Sequence, residues 1–351
     1  MLKSPFSSFC RSLQETCTFI SLVLNIFLIY LIIRKSPKKI GNYRYLMIYI
    51  CVFEILYTIL GILTKPYVHS YSSRVIVIVD VKNSMFSREV NKILNSLICG
   101  FYGCSVSIFA IHFMYRYGSL DKTYHKYFDG WKMVCWCCVP VIYGIVWGLT
   151  MHFIFEEDKA FTEYIRKDIW DLFELPVEDI VYTGSYYYPQ DKLGVHEMNW
   201  RAVGGMAVLW FVIGSSTFTV IYFGISCYLK IGKVLKVADA NFSKSLQRQL
   251  FQALVIQAAI PLFLLYIPCS IVFVCPLLQI DLGNSSAFIS VSVAVYPAID
   301  PLPTLLIIRS YRKAIVELFT RTVKLLREVP ASTTSLIRQS TNEAVTQGSH
   351  T

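Results

Sequence analysis

Tyr45–Leu63, YLMIYICVFEILYTILGIL, runs for 19 residues with a single charged side chain, Glu54. About 20 residues of apolar helix, rising about 1.5 Å each, cross the hydrocarbon layer of a bilayer. Eleven of these residues are Leu, Ile, Val or Phe. Each favours insertion by about 0.3–0.6 kcal/mol, against about 2.5–3.5 kcal/mol for one acid near the centre. The segment reads as a membrane span that tolerates its acid.

The same reading recurs on both sides. Apolar stretches near 17–33, 93–115, 133–155, 202–229, 251–275 and 286–308 bring the expected spans to seven. The expected fold class is an all-α membrane protein, a seven-transmembrane helix bundle occupying 17–308. Only 16% of the 351 residues are charged, where a soluble domain carries about 25%. Cys51, Cys99, Cys104, Cys135, Cys137, Cys138, Cys227 and Cys269 fall inside apolar stretches, where Cys acts as a small hydrophobe. Cys135 and Cys138 form a C-x-x-C, but no second ligand cluster accompanies it, so neither a metal nor a cofactor is expected. The first stretch ends in Arg34-Lys35 without a small-residue cleavage site and reads as a signal anchor.

Lys and Arg set the orientation. The loops 34–44, 116–132 and 230–250 and the segment 309–351 hold 21 of them, the opposite side 12. This predicts an extracellular N-terminus (1–16) and a cytoplasmic C-terminus. The +10 net charge therefore sits in loops beside spans and gives no reason to expect nucleic acid. Loop 156–201 is acidic, with eleven Asp or Glu against five Lys or Arg, and reads as an outer lid. Arg74–Val81, RVIVIVDV, is rich in β-branched residues and predicts a strand pairing with that lid over the bundle mouth. Residues 309–329 alternate apolar and basic positions at helical spacing, predicting an amphipathic helix on the inner membrane surface. Residues 330–351 are Ser/Thr/Gln-rich and read as disordered.

Intramembrane acids are default functional candidates. Glu54 lies ten residues from Arg44, and Asp300 nine from Arg309, so both sit about 15 Å from the same surface. At one depth they can share a proton or a cation across the bundle. Pro261, Pro268, Pro297, Pro301 and Pro303 predict kinks in spans six and seven. Arg116, at the end of span three, is read as a latch that a partner contacts. Phe101, Tyr102, Trp210, Phe211, Tyr266 and Phe288 are candidate walls of a ligand pocket in the outer half of the bundle. Asn284-Ser285-Ser286 is a glycosylation sequon in an outer loop.

Tyr296–Arg312 (YPAIDPLPTLLIIRSYR) resembles the span-seven signature of the nematode serpentine chemoreceptors of the Str type. Gly41–Ile50 (GNYRYLMIYI), Phe53–Leu56 (FEIL), His112–Tyr117 (HFMYRY) and Gln249–Pro268 (QLFQALVIQAAIPLFLLYIP) resemble the same family, in order, over about residues 10 to 325. The resemblance implies a G-protein-coupled chemosensory receptor of olfactory type. It would bind a small, apolar or volatile odorant or other environmental chemical, and signal to a heterotrimeric G protein. The plasma membrane or ciliary membrane of a sensory neuron would be its place. Arg116 would then hold the position of the cytoplasmic arginine of seven-helix receptors, and Asp300-Pro301 that of their span-seven polar–proline motif. Loop 156–201 has no Cys, so the usual disulfide from span three to this loop cannot form. The rival class is a solute or ion transporter using Glu54 and Asp300. An enzyme is not expected, since no H-E-x-x-H or paired-aspartate motif is present.

Overall fold

The computed structural model describes residues 5–71, 74–120, 124, 126–128, 130–189, 197–237, 241–280, 282 and 287–324. Asn284 and the expected disordered tail lie outside these residues. Among them, seven helices are long and apolar enough to cross a membrane. These are α1 (Pro5–Lys35), α2 (Tyr43–Thr64), α3 (Arg88–Leu120) and α4 (Lys132–Leu149), which continues as a π turn over Thr150–Ile154. The fifth, α6 (Trp200–Val237), follows a short lid helix, α5 (Lys159–Phe173). Span six joins α7 (Asn241–Pro261) through a π turn (Leu262–Tyr266) to α8 (Ile267–Leu277). Span seven joins α9 (Ala287–Ile299) to α10 (Pro301–Ile307). Residues 309–324 are helical again.

The helices overrun the apolar stretches that reveal them. Backbone hydrogen bonding continues past the last apolar residue, so α3 starts at Arg88 and α1 already at Pro5. Residues 5–16 are helical and run without a break into the first span, Ser12–Lys35.

Span three is the most buried of the seven, and α4 and α6 pack along it. The α3–α4 contact is made by glycine. Gly144 and Gly148 lie four residues apart on α4, and a Cβ on the facing Gly100 would meet the Gly144 carbonyl at 2.9 Å. Small residues at this spacing let two helix backbones approach where lipid gives no hydrophobic drive to associate.

Proline shapes spans six and seven. Pro261 ends α7 at the π turn, and Pro301 breaks span seven after Asp300. A proline at position i has no N–H for the carbonyl at i−4. Pro301 so frees the Pro297 carbonyl, and Asn25 Nδ2 of α1 donates to it at 3.2 Å.

A three-stranded antiparallel sheet caps one end of the bundle, in the order β1 (Tyr67–Tyr71), β2 (Arg74–Asp80), β3 (Ile180–Tyr186). The strand expected at Arg74–Val81 is β2, and it pairs with the acidic loop, Val77 opposite Thr183. Both faces of the sheet are covered. Ile76, Ile78, Ile180 and Tyr182 pack against Phe161, Ile165 and Ile169 of α5. Val75, Val77, Thr183 and Ser185 turn the other way, toward the bundle. Double burial explains why β2 is a continuous apolar run instead of an alternating one. Gly184 sits where a Cβ would meet Ile76 and the Val75 carbonyl at 2.5 Å. Asp158 caps α5, its carboxylate accepting from Ala160 N at 3.2 Å and Phe161 N at 3.3 Å.

Candidate functional site

Between the sheet and the bundle lies a cavity of about 80 Å³. Val75 and Val77 form its roof, and Tyr57, Tyr102, Trp147 and Phe273 stand in its walls. Of the six aromatic residues singled out in the sequence, Tyr102 lines it. Tyr266 sits deeper, its hydroxyl donating to the Ser105 carbonyl at 3.0 Å. Phe101 is half-buried between spans two and three, stacked on Phe53 and Tyr57. Trp210, Phe211 and Phe288 do not line the cavity; Phe211 is 71% and Phe288 60% exposed. Phe and Trp are as comfortable against lipid as against a pocket, so apolar sequence carries no inward or outward signal here. Tyr57, Trp147 and Phe273 were missed for the same reason, whereas the strand that supplies the roof was expected over the bundle mouth.

The sheet is held by charge rather than by a disulfide. Arg88, in the first turn of α3, donates through Nη2 to both oxygens of Glu157 at 2.8 and 3.0 Å. Its Nη1 donates to the carbonyls of Glu178 and Ile180 at 2.9 and 2.7 Å. Lys92 Nζ stands 3.3 Å from Glu157, and the Tyr182 amide donates to the same carboxylate. Arg74 pairs with Asp168 and lies 4.4 Å from the centre of the Tyr164 ring. Asn95 of α3 donates to the Val77 carbonyl at 3.1 Å. Burial pushes the Tyr182 and Tyr187 hydroxyls up to about 12. Arg166 holds the exposed Glu178 carboxyl below its usual range.

Mid-bundle, the two acids come together. Glu54 and Asp300, both fully buried, lie beside each other, with Asn25 and Tyr296 next to Glu54. Gln257 of α7 donates through Nε2 to the Asp300 carboxylate and backbone carbonyl, each at 3.0 Å, and accepts from Thr304. Spans one, two, six and seven therefore meet at one polar knot. Pro301 follows it and begins α10.

At the end away from the sheet, Arg116 is buried and donates to Gln247 of α7. Its guanidinium lies 5.0 Å from the centre of the Tyr43 ring. Span six thus touches the cavity through Cys269, Val272 and Phe273, the polar knot through Gln257, and Arg116 through Gln247. Among the described residues no three metal-ligating side chains converge.

An apolar cavity and a buried arginine thus lie at opposite ends of the seven spans. The family described as serpentine type 7TM GPCR chemoreceptor Str matches residues 10–316. The chain belongs to it. Other members of the serpentine group are similar along most of their length. G-protein coupled receptor str-217 of Caenorhabditis elegans is 34% identical over 312 residues, covering 88% of this chain and 89% of that one. Serpentine receptor class r-10 of the same organism is 27% identical over 293 residues, covering 81% and 83%. In fold, the Str chain matches squid rhodopsin with a TM-score of 0.53 at 11% identity, over 89% of this chain and 80% of that one. This Str-family chain is thus a multi-pass membrane protein with a rhodopsin-like bundle, in a family of receptors.

Proposed function

We propose that this protein is a chemosensory receptor in which a small apolar molecule binds beneath the sheet and admits a heterotrimeric G protein at the Arg116 end. The observation that carries the reading is the cavity of about 80 Å³, almost wholly apolar and roofed by the sheet. Binding acts by favouring one bundle conformation over another, and only a ligand that prefers that conformation shifts the population. Span six is the lever, because it touches the cavity, the knot and Arg116, with the π turn after Pro261 as its hinge. Glu54, Arg116, Asp300 and Pro301 form the switch.

Under this reading the sheet faces outward and the Arg116 end lies in the cytoplasm, as the excess of Lys and Arg there supports. The plasma membrane, in the sensory cilium, is its place. The Glu54–Asp300 pair also suits a proton relay, which keeps a solute transporter as the second reading. The experiment is G-protein activation in a heterologous cell challenged with a panel of small volatile and soluble molecules, with solute and ion flux followed in parallel. A ligand-dependent response supports the receptor. Flux without any such response favours the transporter.

A further inference from the structure

We propose that the paired thiols of Cys135 and Cys138, at the start of span four, are a site of S-acylation by a long-chain fatty acid. The proposal rests on the orientation given above, which puts this end of α4 at the cytoplasmic face.

Inside a membrane bundle Cys ordinarily serves as a small buried hydrophobe, and Cys51, Cys99 and Cys227 are buried in that way. Among the described cysteines, Cys135 and Cys138 are the exposed ones. They stand three residues apart on α4, so they share one face of the helix. That face meets lipid, since Trp131, Val134, Ile142 and Ile145 along it are exposed as well. Cys137, between the two, is half-buried and packs on the bundle core. Segment 309–351 contains no Cys, so no thiol there can carry a chain.

Depth is the second observation. Cys135 lies ~4.5 Å and Cys138 ~9 Å past Lys132 along the helix, at about 1.5 Å per residue. Lys132 donates to the Lys126 carbonyl at 3.1 Å, and the Tyr124, Tyr127 and Trp131 rings around it are exposed. Exposed aromatic rings beside lysines belong at the headgroup level. Cys135 therefore stands where water gives way to hydrocarbon, with Cys138 one turn deeper. Cysteines so placed beside a membrane are acceptors of reversible S-acylation. The thiolate is the nucleophile, so the thiol nearer water, Cys135, reacts first.

The acyl donor is a thioester of the acyl-coenzyme A class. The cysteine sulfur gives up its proton and bonds to the acyl carbonyl carbon. The bond from that carbon to the coenzyme sulfur breaks, and the coenzyme thiol leaves carrying a proton. No oxidant or reductant is consumed. A chain on Cys135 would fix to the membrane the end of span four that braces the loop after Arg116. Trp136, between the thiols, donates to the Tyr127 carbonyl at 3.0 Å and stacks on Phe128, whose ring meets Tyr115.

The test expresses the full chain with a C-terminal epitope in cells fed an alkyne-bearing palmitate, and reads the label on the isolated protein. Wild type is expected to carry label that neutral hydroxylamine removes, as it removes thioesters. Cys135→Ser is expected to lose most of the label, and Cys135→Ser/Cys138→Ser all of it, while Cys227→Ser keeps it. Should the variants fail to fold, mass spectrometry of the wild type decides. The acyl group is expected on the peptide that begins at Met133, and an acyl group found only elsewhere overturns the proposal. No label, label resistant to hydroxylamine, or label that survives the double substitution overturns it too. The epitope is expected to stain only in permeabilised cells. An unlabelled chain with a cytoplasmic tail overturns the acylation alone, whereas a tail outside the cell overturns it together with the orientation.

Discussion

Arg116 of span three and Gln247 of span six are joined twice by one guanidinium nitrogen. Arg116 Nη2 donates to the Gln247 side-chain oxygen at 2.7 Å and to its backbone carbonyl at 3.1 Å. The acceptor is a neutral amide, so the contact lacks the full charge pairing a carboxylate would give, while a hydrogen bond to a charged group is still worth about 1.5–3 kcal/mol. Gln247→Ala is expected to raise basal G-protein activation about tenfold, since 1.4 kcal/mol shifts an equilibrium by that factor. Gln247→Glu is expected to lower it. Nucleotide exchange at matched surface expression checks both.

Asp300 is tied to Gln257 by two bonds of 3.0 Å, and Gln257 is tied in turn to Thr304. Asp300→Asn keeps the shape and removes the ionisable proton from the pair it forms with Glu54. Surface delivery is expected to stay near wild type while ligand potency moves about tenfold, the scale of one buried hydrogen bond. Surface labelling beside a dose–response curve separates the two effects. A variant that merely fails to reach the surface would count against a switch at this position.

The Arg88–Glu157 pair fastens the lid to the first turn of α3. One nitrogen, Nη2, serves both carboxylate oxygens, and the Glu157 side chain is only 15% exposed. A double-mutant cycle of Arg88→Met and Glu157→Gln is expected to return about 1 kcal/mol of coupling, the upper range for accessible ion pairs. The coupling should shrink in high salt. Thermal unfolding of the four proteins supplies the numbers.

Glu178 gives the lid a pH response. Arg166 Nη1 at 2.5 Å holds its carboxyl below the usual range in the folded protein. A carboxyl lowered on folding stabilises the fold above its unfolded pKa, and that contribution is lost as pH falls through the lowered value. Amide-exchange protection of α5 is therefore expected to fall as pH drops from about 5 to about 3. Glu178→Gln should remove that part of the pH dependence. Full exposure keeps the effect small and sensitive to salt.

The seven spans and β2 were legible because each follows a local rule. Tyr45–Leu63 is apolar for the length of a bilayer, and RVIVIVD is β-branched throughout. The meeting of Glu54 and Asp300 was legible too, from equal depth on two spans. The lid helix α5 was not anticipated, although Asp158 as a cap and Phe161, Ile165 and Ile169 at four-residue spacing are its signature. The site walls were harder. Phe211 and Tyr102 look alike in sequence, yet one is 71% exposed and the other buried in the cavity wall. Facing is set by how α3 and α6 rotate against their neighbours. In a bilayer, apolar residues are stable on either face.

The central claim is that filling the cavity moves span six away from Arg116. The direct measurement is G-protein activation by a ligand found in the panel, in wild type, in Val77→Phe and in Arg116→Ala, each at matched surface level. The phenyl ring of Val77→Phe would occupy a cavity of about 80 Å³ from its roof. The expected result is a dose-dependent response in wild type and loss of ligand dependence in both variants. An undiminished response in Val77→Phe would place the ligand elsewhere and contradict the account.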